Sequence, residues 1–544
     1  MEVEEALSHL GKYGLWQMGQ LIWVGIFVYV AVPFSFLSIV FQGWIPPHTC
    51  ALPANALKNE SIPSILKDGK LVYEQCYQYE IVGNVTLSNT VKCQNGYEFD
   101  RGNYYTFTEE FSWVCDAKYM NLLAKIMFYI GTLFGSIIFS AWSDATGRKY
   151  SVIVPGLLAA LTHGLGTIPG QPVLFIVLRG FTGVFAMGAF NVGFVLAYES
   201  FPASQGPFVA AFVFVMWSIG LLLNGLFAYL LHDWRHLQFL GAAKCALIIL
   251  DICLLDESVQ WLVCKSRGIE AAEILRKAAR RNKVEIPEHL LKFIEASEPC
   301  GSKPTNPGNQ TCQDLENGSP PTTDEKDSSR ATKMKKKLQD IKDALYTRRD
   351  ACPQNYKITV LDVLRNPKLR IRILLSPVIW FATAFMYFGM VLTTPLMRGG
   401  RFLNYFIGAA VEIPGYIFSY YALNHYGRRP VLGTLLTVAG IMLIASTFIP
   451  SQVGTTDLLP LVMTLNSIGR FAVVAPYAGA FVYAHEVWWL PGVIMGSAGF
   501  IATAALLPLP ETKDEHGQQK IDDVTTLVEN EEMETVEPDD KSKP

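Results

Sequence analysis

An all-α protein threaded repeatedly through a lipid bilayer, arranged as two bundles, is the fold class this sequence predicts. Three observations predict it: apolar runs of membrane-spanning length, a low share of charge, and a short charged loop that recurs at matching places in two halves. A bilayer core about 30 Å thick takes roughly 20 apolar residues in a helix. Eleven such runs occur among the 544 residues, at about 17–41, 121–142, 150–169, 173–195, 207–231, 237–255, 371–394, 402–423, 430–450, 457–485 and 487–509. Charged residues make up 17% of the chain, against about 25% in ordinary soluble domains. The net charge of −3 points away from nucleic acid as a partner.

Residues 1–16 read as a cytoplasmic N-terminus, MEVEEALSHLGKYG being acidic and amphipathic. The run at 17–41 is too long for the apolar core of a cleavable leader, so it reads as a first span that anchors the chain. Residues 42–120 then form an extracellular loop. They hold Cys50, Cys76, Cys93 and Cys115 together with the sequons that begin at Asn59 and Asn84. Disulfides and glycans both need the oxidising side of a membrane. The four cysteines are disulfide candidates whose pairing is open, and the two asparagines are glycosylation candidates.

Spans 2 to 6 occupy 121–255. A central cytoplasmic segment, 256–370, precedes spans 7 to 10 at 371–485, a final span at 487–509 and an acidic tail at 510–544. Basic residues collect where this alternation puts the inside: Arg148, Lys149, Arg428, Arg429 and the net-positive central segment. Arg398 and Arg401 are the exception, standing in an outside turn. Residues 270–295 carry Ala, Leu and Ile at helical spacing, and 299–331 have the composition of a disordered linker. The run KMKKK at 333–337 is either a solvated basic patch or a contact with anionic membrane lipid.

The loop Ser143-Asp144-Ala145-Thr146-Gly147-Arg148-Lys149 follows span 2, and Asn424-His425-Tyr426-Gly427-Arg428-Arg429 follows span 8. Gly147 permits a tight turn, and the basic pair can neutralise acids on the facing bundle. Asp256-Glu257-Ser258-Val259-Gln260-Trp261-Leu262 follows span 6, Pro510-Glu511-Thr512 follows the last span, and Leu178-Arg179-Gly180 and Glu199 open and close span 4. In that order these segments resemble the organic cation, anion and carnitine transporters of the major facilitator superfamily. The resemblance implies two six-helix bundles and a plasma-membrane carrier working by alternating access. It implies a cytoplasmic gate of Asp144, Gly147, Arg148, Lys149, Arg179, Glu199, Glu257, Gly427, Arg428, Arg429 and Glu486. The expected partners are a small organic ion, a coupling Na⁺ or H⁺, and membrane lipid. No cofactor or metal site is expected, and no enzyme, since there is no P-loop or nucleophile constellation.

Glu412-Ile413-Pro414 in span 8 matches the cation and carnitine branch of that family. A carboxylate inside a span costs roughly 3 kcal/mol unless it faces a polar cavity or a partner, so Glu412 is either a substrate residue or half of a structural ion pair. Trp380 and Tyr387 lie on one face of span 7, about 10.5 Å apart along the helix; Trp217 and Tyr477 are further candidates for a cavity that holds a cation against ring faces. Arg470 in span 10 is expected to snorkel to the interface. Lys244 and Asp251 in span 6 are expected to find partners within the bundle. The family's span 11, with its loops, is missing between Glu486 and Val487, which makes a transport-inactive or receptor-like member, or an organic anion carrier, the alternative to a cation or zwitterion carrier.

Overall fold

A computed structural model describes residues 2–296 apart from 54–56, 68–69, 83–84, 101, 103 and 169, then residues 382–383 and 385–391, and residues 400–474 apart from 427, 450–451 and 454–455. The final span, the expected junction at Glu486, the KMKKK run and the acidic tail lie outside the described residues.

A short amphipathic helix, α1 (Glu2–His9), precedes the first span, α2 (Leu15–Gln42). Spans α3 (Lys118–Thr146), α4 (Arg148–Leu165), α5 (Pro172–Glu199), α6 (Gly206–Leu230) and α7 (Trp234–Leu254) complete the first half. Three short helices follow, α8 (Val259–Cys264), α9 (Gly268–Asn282) and α10 (Glu288–Glu295). The described part of the second half is α11 (residues 385–391), α12 (Arg401–Tyr426), α13 (Arg428–Phe448) and α14 (Leu459–Val473). The segment read as continuously helical over 270–295 is two helices. Lys283 takes a left-handed conformation with φ of 56° that ends α9, and Pro287 then starts α10.

α3 shows why this packing needs lipid. Its Ile130, Leu133, Phe134, Ile137 and Ile138 are exposed and recur at helical spacing, forming a continuous apolar stripe, while Ala124, Phe128, Gly131, Gly135 and Phe139 are buried on the other face. Such a stripe is unfavourable in water and satisfied by acyl chains. α2 is locally widened into a π-turn at Gly25–Tyr29, just before Pro33. Pro414 does not break α12, which continues through it from Arg401 to Tyr426.

The main core runs across both halves, from Leu21, Val28 and Phe36 through Trp217 to Tyr387, Tyr405 and Leu436. A second core lies at the inner end, where Ala6, Leu7 and Trp16 pack against Trp261, Leu275, Leu290 and Ile294. It is pinned by polar contacts: Trp16 Nε1 donates to Asp256 at 2.8 Å, Asp256 meets Lys277 Nζ at 2.5 Å, and Asn282 Oδ1 accepts from the Trp16 backbone at 2.8 Å.

The outer loop folds into small antiparallel ladders: His48–Cys50 on Tyr97–Phe99, Ser64–Lys67 on Lys70–Tyr73, and Tyr77–Val82 on Val85–Lys92. Disulfides join Cys50 to Cys93 and Cys76 to Cys115, the latter tying the loop to the start of α3. Asn59 is exposed, and its Oδ1 accepts from the Tyr73 hydroxyl; Asn84 lies outside the described residues. A Cys76→Ser/Cys115→Ser variant releases a link across 39 residues, worth about 2–4 kcal/mol. Its thermal midpoint in detergent is therefore expected to fall by several degrees, and an unchanged midpoint would show that the link bears no load.

Candidate functional site

Two polar constellations stand apart from the apolar packing, one at the inner end of the first half and one at the seam between the halves.

At the inner end, Gly147 separates α3 from α4 with φ of 108°, a conformation L-residues avoid. A Cβ there would lie 2.5 Å from Glu257 Oε2. The absence of that carbon lets the Glu257 carboxylate reach the start of α4, where it accepts from the backbone N–H groups of Arg148 at 2.7 Å and Lys149 at 3.1 Å. Glu257 thus caps a helix from a distant segment, as the positive end of the helix dipole favours. The Arg148 side chain is gripped by Asp144 at 2.6 Å and by Glu199 through two contacts at 3.3 Å. Partial burial works against its charge, and the two carboxylates of Asp144 and Glu199 offset that. Trp261 Nε1 donates to the Asp144 carbonyl at 3.1 Å, closing the constellation.

Asp144, Gly147, Arg148, Glu199 and Glu257 are therefore together, with Lys149 joined through its backbone. The acids that meet Arg148 belong to its own half rather than to the facing bundle, because Glu199 ends α5, which packs beside α3 and α4. Arg179 is not part of this gate. It lies 20 residues before Glu199 on the same helix, about 30 Å away, and is buried at the other end with its guanidinium over the Phe128 ring at 4.7 Å. A motif match gives a residue's place in sequence, whereas the length of span 4 separates Arg179 from the end that carries Glu199. Gly427, the side chains of Arg428 and Arg429, and Glu486 lie outside the described residues.

At the seam, Glu412 sits midway along α12 and Arg470 on α14; both are fully buried. Arg470 Nε and Nη2 donate to Glu412 Oε1 at 2.8 and 2.6 Å. The pairing needs Gly408, one turn before Glu412, because a Cβ there would stand 2.9 Å from Arg470 Cζ. The other carboxylate oxygen accepts from Ser218 Oγ of α6 at 3.0 Å and from the Tyr387 hydroxyl of α11 at 3.1 Å. Tyr387 in turn accepts from Trp217 Nε1 at 2.9 Å, and one face of α6 adds Asn224, which donates to Tyr405 at 3.3 Å. Phe36 and Phe190 meet the Trp217 indole edge-on, at centroid distances of 5.7 and 5.5 Å.

Three cavity candidates, Trp217, Tyr387 and Glu412, are thus in direct contact, while Trp380 and Tyr477 lie outside the described residues. Arg470 does not snorkel: its partner is a buried carboxylate one helix away, and an ion pair there outcompetes the distant interface. Arg470 Nη1 nonetheless has no acceptor among the described residues and borders a small void between α12 and α14. Lys244 rests over the rings of Phe34 and Phe227 at 4.9 and 5.8 Å. Asp251 is buried with no hydrogen-bond partner among the described residues, contrary to the expectation that it would find one. Ser218, Asn224 and Tyr405 were not singled out from the sequence; two polar residues within one apolar run, 207–231, were the available signal for the first two.

Breaking the pair from one side leaves a buried lone charge. Glu412→Gln is expected to lower stability by about 3–5 kcal/mol, and Glu412→Leu/Arg470→Met to recover most of that loss. Thermal midpoints of the two variants in detergent check this; equal destabilisation would mean that the pair contributes through shape rather than charge.

The family model described as Major Facilitator Superfamily matches residues 116–471. Relatives include an "Organic cation transporter protein" of Drosophila melanogaster, 28% identical over 94% of this chain and 87% of that protein. "Organic cation/carnitine transporter 2" of Homo sapiens is 26% identical over 93% of this chain and 84% of that protein. Among solved structures, the xylose transporter XylE from E. coli in a partially occluded inward-open conformation is similar over 96% of this chain and 100% of that chain, at 13% identity and a TM-score of 0.47. With apolar spans, paired halves and a family model covering most of its length, this chain belongs to the Major Facilitator Superfamily and is a membrane transporter of small molecules rather than an enzyme.

Proposed function

We propose that the chain carries small organic cations or zwitterions, of the trimethylammonium-carboxylate kind, across the plasma membrane by alternating access. One observation carries this reading: the Glu412–Arg470 pair stands at the seam between the halves, beside the rings of Trp217 and Tyr387, with Arg470 Nη1 lacking an acceptor among the described residues. The pair is neutral as a whole, so it offers little net attraction to a plain cation. It matches a zwitterion better, because an ammonium group has a carboxylate and ring faces to meet while a carboxylate has the open guanidinium N–H. The names of the relatives as organic cation and carnitine transporters favour the same class.

Entry of such a solute has a mechanical consequence. Trp217 and Ser218 belong to the first half, Tyr387 and Glu412 to the second, and their hydrogen bonds hold the seam closed. A ligand that takes over Glu412 and the rings replaces those bonds and so changes the balance between conformations, which is what ligand-driven rocking requires. The membrane potential, a substrate gradient, or coupled Na⁺ or H⁺ supplies the driving force in this reading.

Uptake into cells or vesicles of a trimethylammonium-carboxylate zwitterion, its methyl ester and a carboxylate anion tests the proposal. Zwitterion uptake is expected to exceed anion uptake and to fall at least about tenfold in Glu412→Gln. Arg470→Lys, which keeps a positive charge beside Glu412 but loses the forked donor, is expected to reduce zwitterion uptake about tenfold and ester uptake much less. No uptake of any of the three at normal surface expression would overturn the carrier reading for this chain, and uptake of the anion alone would overturn the substrate class.

A further inference from the structure

Arg401 is one of the two arginines of the expected outside turn that the charge pattern leaves unexplained. It is the first residue of α12, where the helix dipole disfavours a cation. Among the described residues no carboxylate pairs with it, and its buried Nη1 has no acceptor. Its surroundings are aromatic. The guanidinium carbon lies 3.9 Å from the ring centroid of Trp44, 4.5 Å from that of Tyr104 and 4.9 Å from that of Phe402. Trp44 follows the first span and Tyr104 lies in the outer loop, so both belong to the first half, whereas Arg401 and Phe402 belong to the second. Phe402 also stacks on Phe41 of α2 at 5.2 Å.

We propose that Trp44, Tyr104 and Phe402 form a second, outer cation site, occupied in this structure by the chain's own Arg401 guanidinium acting as a tethered plug. Ring faces around a delocalised or quaternary cation are the chemistry that recognises guanidinium and tetraalkylammonium groups. A charge held by ring faces and the Tyr104 hydroxyl, with no carboxylate against it among the described residues, is held weakly enough to exchange. The site also has an approach: an open cavity of about 560 Å³, lined by Tyr104, Tyr105, His232 and Asp233 among others, shares Tyr104 with the cage. Because the cage is built from both halves, outer opening has to withdraw Arg401 and Phe402 from Trp44 and Tyr104. Those two rings are then free to receive a solute cation, which competes with the return of Arg401 and so with closure. This inference does not rest on Glu412.

The test uses the purified full-length protein in detergent, with methylguanidinium and tetramethylammonium as probes and the thermal unfolding midpoint as readout. Removing the plug in Arg401→Ala is expected to lower the midpoint and to create a saturable stabilisation by either probe. The apparent affinity is expected to be at least about tenfold tighter than in the wild type, whose cage is already filled. That response is expected to vanish in Arg401→Ala/Trp44→Leu/Tyr104→Leu. Arg401→Gln, similar in size but neutral, is examined in parallel. A response in Arg401→Ala no stronger than in the wild type, or one that survives loss of the two rings and so arises at the seam, would overturn the proposal. Failure of both single variants to yield monodisperse protein would overturn it too, since a plug that must leave during opening cannot be required for folding. No transport is measured, so failure here and failure of the carrier reading are separate results.

Discussion

A carboxylate and a guanidinium buried against each other at the seam constrain everything around them. Removed from water, neither Glu412 nor Arg470 tolerates the loss of the other, so α12 and α14 are held in register, and Gly408 must stay without a side chain for the guanidinium to pass. The second oxygen of Glu412 then has to be satisfied from elsewhere. It is satisfied from the opposite half through Ser218 and from α11 through Tyr387, which is itself tied to Trp217. One charge pair within the second half thereby becomes a polar clasp between halves, in a region where lipid offers no alternative partners.

The inner and outer ends are stabilised by different physics. Inside, charges meet charges or a helix end: Glu257 caps α4, and Arg148 is shared between Asp144 and Glu199, which ties α3, α4 and α5 together at this corner of the first half. Outside, one contact across the halves is a cation on ring faces with no counter-ion among the described residues. The disulfides and short ladders of the loop keep the segment bearing Tyr104 in place for that contact. Firm contacts within a half and exchangeable contacts between halves are what a rocking carrier requires.

Much of this was legible in the sequence because apolar run length and loop charge are local properties. The described helices of the first half fall within a few residues of the apolar runs, and Gly147 stands out as the residue a tight charged turn demands. What escaped depends on which residues become neighbours. Arg470 and Glu412 are separated by 58 positions, and nothing local distinguishes an arginine that reaches an interface from one that reaches a carboxylate. Arg179 carried a motif identity but not a depth, and only its place along the helix puts it far from Glu199. Ser218 looks like any small polar residue in a packed helix until Glu412 is opposite it. The ring cage around Arg401 joins a span end, a loop and a helix start, which no periodicity connects.

The central claim is that the Glu412–Arg470 pair is where the transported solute acts. A structure determined with a saturating trimethylammonium-carboxylate zwitterion tests it most directly. The account predicts the ammonium group against Glu412 and the rings, the carboxylate on Arg470 Nη1, and the bond between Trp217 and Tyr387 broken. A ligand bound elsewhere, with Arg470 still 2.6 Å from Glu412 as it is here and the seam unchanged, would contradict it.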